Sequence, residues 1–197
     1  MRELYLECYS GISGDMTVAA LLDLGVPGEY LMKELEKLHL DGYEIKISKT
    51  KKNQITATDF DVILKDEHKE EHGHEHAHTH VNDEDVKECH EQEHSHEHTH
   101  VHNSYREIKE FILASELSDR VKEMILKIFQ VIAEAEAQVH GMTVDKVHFH
   151  EVGAVDSIVD ISAAAICLDY LGFDSIVTSE IWEGKGHVWC QHGRIPV

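Results

Sequence analysis

The residues best suited to chemistry are His148, His150, Glu151, Asp156 and Asp160, which flank a Gly153-Ala154 turn in this 197-residue chain. Two histidines one residue apart on a strand point to the same side, because side chains alternate with period two. Asp156 and Asp160 are four apart, so on a helix they share one face. A strand running straight into a helix would bring these groups together where the two meet. Imidazoles and carboxylates converging there suit a divalent metal, or a phosphate-bearing ligand with its metal. The plainer alternative is a surface strand followed by an aspartate that caps a helix start.

A second candidate lies at the other end of the chain. Residues 3–9 alternate as a strand, and Ser10-Gly11-Ile12-Ser13-Gly14-Asp15 then leads into an apolar segment, Met16 to Leu24. Strand, glycine turn and helix form an arrangement whose free backbone N–H groups can hold an anion. Ser10, Gly11, Ser13 and Gly14 are therefore candidate binding residues. The turn lacks the Gly-Lys-Ser/Thr end of a P-loop. Asp15 is either a first-turn carboxylate favoured by the helix dipole or a metal ligand.

Residues 66–102 hold twelve of the eighteen histidines and twelve Asp or Glu against two Lys, a formal charge of -10. The segment repeats itself imperfectly, His72 to Val81 against His94 to Val101, and its candidate ligands are His72, His74, His76, His78, His80, His94, His96, His98, His100 and His102. Alternating imidazole and carboxylate suits Ni, Cu and Zn. With almost no large apolar residues, the stretch cannot offset its ordering entropy by burial. It reads as a disordered metal-binding insertion between residues 1–65 and 103–197, which together read as one domain. His192 near Cys190 offers either a further soft ligand set or a strand and its turn.

The elements that must position these groups are legible around them. Gly25 and Pro27 stop the first helix, and a second runs from about Gly28 to His39. Tyr43 to Ile47 and Gln54 to Leu64 alternate as paired strands, with a hairpin loop over Lys49–Asn53. Ser104 and Glu107 form a capping box. Ser118 caps a long helix whose apolar face includes Val121, Met124, Ile125, Ile128, Ile132, Ala135 and Val139. His140 closes that helix in a structural role. Val147 to His150 reads as a short strand. The helix from Val155 to Leu171 is apolar nearly all round, hence buried. Aspartates on a buried helix need partners. Ser175 to Ile181 reads as a last strand. The fold class expected is α/β or α+β, a mixed sheet with packed helices.

Composition narrows the function. A net charge of -20 with no basic stripe argues against nucleic acid as a partner. No apolar run approaches the ~20 residues that span a bilayer, and the N-terminus lacks the pattern of a signal peptide. Cys8, Cys89, Cys167 and Cys190 form no CxxC pair, so neither a disulfide framework nor a zinc ribbon is indicated. A cytoplasmic protein is expected. A homo-oligomer is the one self-partner the sequence leaves open.

Tyr5-Leu6-Glu7-Cys8-Tyr9-Ser10-Gly11-Ile12-Ser13-Gly14-Asp15-Met16 resembles the opening of the LarC family of nickel insertion proteins. The resemblance continues through Ala133 to Gly141 and Val147 to Asp160, and ends at His192-Gly193-Arg194-Ile195-Pro196-Val197. It covers essentially the whole chain. It implies insertion of Ni(II) into pyridinium-3,5-bisthiocarboxylic acid mononucleotide, in a cyclometallation of the lyase class. The product is the nickel-pincer cofactor, and lactate racemase is its recipient. It also implies CTP with a divalent metal such as Mg or Mn. The family continues into a C-terminal nucleotide-binding domain, so residues 1–197 are expected to be an N-terminal portion. The rival expectation is a non-enzymatic nickel storage protein or metallochaperone.

Overall fold

One helix is touched by most of the others. Helix α5 (Val155–Leu171) packs against α1 (Gly14–Asp23), α2 (Gly28–Glu36), α4 (Asp119–His140) and strand β3 (Ile55–Leu64). The computed structural model describes residues 1–65, 104–149, 152–182, 184–190 and 193–196. The all-round apolar character of α5 accounts for its central place. Ile158, Val159, Ala163, Ala165, Ile166 and Cys167 are all buried on it, as a helix without a polar face requires. Gly172 ends it with φ 63°, a left-handed conformation that glycine adopts without steric cost.

The fold is α/β, with small sheets among the described residues. Strand β1 (Glu3–Leu6) pairs in parallel with β4 (Ser175–Thr178). Strand β2 (Tyr43–Lys52) pairs antiparallel with β3. A hairpin of β5 (His187–Cys190) and β6 (Gly193–Pro196) follows. Among the described residues the expected mixed sheet is built as three two-stranded pieces, one parallel and two antiparallel.

The β2–β3 loop is shorter than expected. Only Asn53 and Gln54 lie between the strands, with φ 49° and 68°. Positive φ at both central residues matches the turns whose twist suits a two-residue hairpin. The polar outer half is held because Asp23, at the end of α1, accepts hydrogen bonds from Lys49 Nζ and from Thr58 N and Oγ1. These bonds hold the Asp23 carboxyl down at about 2, the side-chain bond from Lys49 contributing most.

Helix α3 (Tyr105–Ala114) starts as the sequence predicts. Ser104 Oγ accepts from Glu107 N at 3.2 Å, and Ser104 N donates to Glu107 Oε2 at 3.2 Å. Ser104→Ala should cost about 1 kcal/mol of stability, read as a lower urea midpoint at unchanged slope. A change below about 0.3 kcal/mol would show that the box contributes little beyond what water supplies.

Helix α4 departs from its expected face. Its buried stripe is Val121, Ile125, Phe129, Ala133 and Ala137, while Ala135 and Val139 point outward. Steps of four residues form one ridge of a helix surface, the ridge that packs into a neighbouring groove. Helix α3 and helix α5 both lie against this helix. His140 in the last turn meets Glu136 at 3.1 Å, consistent with a structural role.

Two more expectations were too long. Helix α2 ends at Glu36, and His39 turns away with φ 53°. Val147 to His150 is not a strand among the described residues. A 3-10 turn at Val144–Lys146 precedes it, and only His148 pairs, in a single antiparallel bridge with Ser104.

Candidate functional site

The N-terminus of α1 and the first turns of α5 bring three carboxylates together. Asp15 lies in the first turn of α1, and Asp156 and Asp160 lie one helical turn apart on α5. The two helices approach closely because residue 14 has no side chain. A Cβ at Gly14 would sit 2.6 Å from Asp160 Oδ2, 2.8 Å from its Cβ and 3.0 Å from its Cγ. Glycine is the one residue that fills this position without moving a neighbour.

Asp160 is the odd member. Its carboxyl is pushed up to about 6 from the ordinary 3.8, first by burial, then by the negative charges of Asp15 and Asp156. The backbone N–H of Asp15 donates to it and opposes part of that rise. Its Oδ1 is buried without a hydrogen-bond partner among the described residues. A buried oxygen with no donor and two like charges nearby favours the protonated acid. Asp156 Oδ1 accepts from Ser157 N at 2.9 Å, and Asp15 is exposed. Asp15 is therefore the most open of the three carboxylates, with Asp156 and Asp160 both half-buried.

The glycine turn contributes less than its sequence suggests. An anion at α1 would rest on the first amides, and the Asp15 amide already serves the Asp160 carboxylate. Gly11 has φ 81°, and its N–H donates to Cys8 O. Ser13 caps α1 through its backbone, since Thr17 N donates to Ser13 O and the Ser13 side chain makes no cap bond. Ser10 and Ser13 are exposed. The dipole of α1 thus meets an internal anion first.

His148 is exposed, tied to Ser104 by its backbone, while Phe149 turns inward against Phe129 with ring centroids 6.0 Å apart. His150, Glu151 and His192 lie outside the described residues. So do His72, His74, His76, His78, His80, His94, His96, His98, His100 and His102. Among the described residues, no three His, Cys, Asp or Glu groups stand close enough to hold a metal ion. The aspartates feel one another's charge without forming an assembled ligand set. Their oxygens are of the type that suits Mg or Mn, whereas nickel is drawn to imidazole nitrogen and sulfur. The pairing of Gly14 with Asp160 had no local signal, because it joins residues at opposite ends of the chain.

The chain matches a family described as nickel insertion protein over residues 4–197. It is 56% identical over 199 residues to the pyridinium-3,5-bisthiocarboxylic acid mononucleotide nickel insertion protein of Clostridium acetobutylicum, covering all of this chain and 47% of the relative. The protein of the same name in Alkaliphilus metalliredigens is 50% identical over 202 residues, again across the whole chain and 43% of the relative. That of Clostridium kluyveri is 48% identical over 198 residues, all of this chain and 45% of the relative. The chain spans a little under half the length of these relatives. No solved structure matches it.

Proposed function

This chain belongs to the nickel insertion protein family, and from that membership we propose that it takes part in inserting Ni(II) into pyridinium-3,5-bisthiocarboxylic acid mononucleotide. The single observation that carries this is the family match across residues 4–197. The arrangement of Asp15, Asp156 and Asp160 fits the chemistry. Joining nickel to a ring carbon forms a Ni–C bond and breaks a C–H bond, so a proton must leave. Asp15 and Asp156 are the described carboxylates that can draw in a divalent cation and accept that proton. Asp160 is neutral below about pH 6 and above it adds its own negative charge beside Asp15 and Asp156.

The finer parts rest on the family resemblance. CTP with Mg or Mn is the co-reactant, and carboxylate oxygens such as those of Asp15 and Asp156 suit such a hard cation. His148, His150 and Glu151 supply donors for nickel. The histidines of residues 66–102 and His192 gather Ni(II) ahead of insertion. Lactate racemase receives the finished cofactor. The reaction is placed in the cytoplasm; among the described residues no helix is long and apolar enough to cross a membrane.

The test is reconstitution from purified chain, Ni(II), the dithiocarboxylate precursor and CTP with Mg, alone and with the rest of a relative supplied as a second polypeptide. The absorbance of the nickel-pincer product should grow. Asp15→Asn with Asp156→Asn should slow it by about 10²-fold or more, with bound nickel unchanged. Nickel bound in both settings without product would favour the storage reading, which the twelve histidines of residues 66–102 support.

A further inference from the structure

The β1–β4 pair lacks the cover that a parallel sheet needs. Parallel sheets are ordinarily buried on both faces, and two strands alone are not a stable sheet. Register partners in a parallel pair point to the same face. On the inner face Leu4 is 6% exposed, but its partner Ile176 is 47% exposed. On the outer face Tyr5 and Val177 are partners, and they are 52% and 42% exposed. Strand β4 therefore shows apolar side chains to solvent on both sides, the pattern of an interior strand placed at an edge.

The patch continues past the strand ends. Tyr9 and Trp182 meet edge to face at 6.2 Å, and both are more than half exposed. Trp182 N donates to Cys8 O at 3.3 Å, which fixes this pair beside β1. An exposed apolar patch of this kind marks a contact surface. A second copy is a poor occupant, because each chain carries a net charge of -20. The relatives supply another. This chain spans only 43–47% of their length, so more than half of each relative lies outside the matched stretch.

We infer that the edge of β4 with which no strand of the described residues pairs, and the outer face of the β1–β4 pair, dock the polypeptide that makes up the rest of the relatives' length. That polypeptide adds a strand beside β4 and covers Tyr5, Val177 and Trp182, whether it is joined to this chain or separate. Main-chain hydrogen bonds then satisfy the open edge, and the apolar faces give the pairing its specificity.

The probe is the remainder of the Clostridium acetobutylicum relative, produced separately and mixed with the 197-residue chain. Sedimentation velocity should show a one-to-one complex. Amides of residues 175–178 should exchange at least about tenfold more slowly in it. Val177→Lys should weaken binding by about tenfold or more with an unchanged thermal melt, and Val139→Lys on α4 should leave it alone. Absence of a complex from a folded probe, a complex indifferent to Val177→Lys, or a Val177-dependent homodimer would each overturn the inference. If the probe does not fold, exchange in the intact relative decides. Its segments aligned with β1 and β4 must exchange more slowly than those of this chain, and equal rates would overturn the inference.

Discussion

Gly14→Ala should destabilise the folded chain by about 1–3 kcal/mol, the usual cost of forcing extra volume into a packed contact. Two features place it there rather than near zero. The added methyl would lie within 3.0 Å of three Asp160 atoms, and one of them is the Cβ, which cannot swing away as a carboxylate tip can. Relief therefore requires α1 and α5 to separate, and each packs on the other and on β3. The better helix propensity of alanine offsets part of the loss, at most about 1 kcal/mol and less in a first turn. Urea midpoints of four proteins give the answer: the parent, Gly14→Ala, Asp160→Ala and the double variant. Asp160→Ala removes the carboxylate but keeps the Cβ, so the double variant should recover about 1 kcal/mol relative to simple addition. Additive losses would show that the two residues do not meet.

Asp160→Asn should stabilise the chain at pH 7.5 by about 1–2 kcal/mol while leaving it nearly unchanged at pH 3.5. The sign follows from a folded value near 6 against 3.8 for the free carboxyl. Below 3.8 the acid is protonated in folded and unfolded chains alike, so it contributes no difference. Between 3.8 and about 6 the unfolded chain ionises first, and stability falls as pH rises. Above about 6 the whole penalty is present. Taken at face value that interval is worth on the order of 3 kcal/mol. Partial exposure of Asp160 and the unsatisfied amide that asparagine leaves beside Oδ1 lower the figure. Urea melts at several pH values measure it. A stability that falls from pH 4 to 6 by as much in the variant as in the parent would remove Asp160 as the source. The same substitution bears on function, since a divalent cation near Asp15 and Asp156 should expel the Asp160 proton. Calorimetry of Mg or Mn binding in two buffers of different ionisation enthalpy should detect that release below pH 6 and lose it in Asp160→Asn.

These two expectations mark where sequence reasoning reached and where it stopped. Ser104 with Glu107, Gly172 after Leu171 and the apolar girth of α5 are local signals, each contained in a few consecutive residues. All three appear in the structure as read. The stripe on α4 was misplaced because its ridge is set by the grooves of α3 and α5, so Phe129, Ala133 and Ala137 face inward where Ala135 and Val139 had looked equally eligible. The charge crowding of Asp156 and Asp160 was legible from their spacing and from the buried helix that carries them. The third carboxylate was not. Asp15 joins them only because Gly14 lets α1 rest against α5, and that contact is fixed by tertiary packing. His148 carries a metal-ligand pattern, and the structure leaves its side chain exposed beside a backbone bridge to Ser104.

The pairing of β1 with β4 has a consequence for how the chain reaches this state. Glu3 and Ser175 are register partners 172 residues apart. Strand β1 has no mate until residues 175–178 have been synthesised. Helix α5, on which α1, α2 and β3 pack, is also made late. Local pieces such as the β2–β3 hairpin and the capped α3 and α4 can form as they emerge, but closing the ends must wait, and such long-range closure is slow. During that interval Leu4 and Tyr5 stand without the strand they pair with, and a chaperone has reason to shield them.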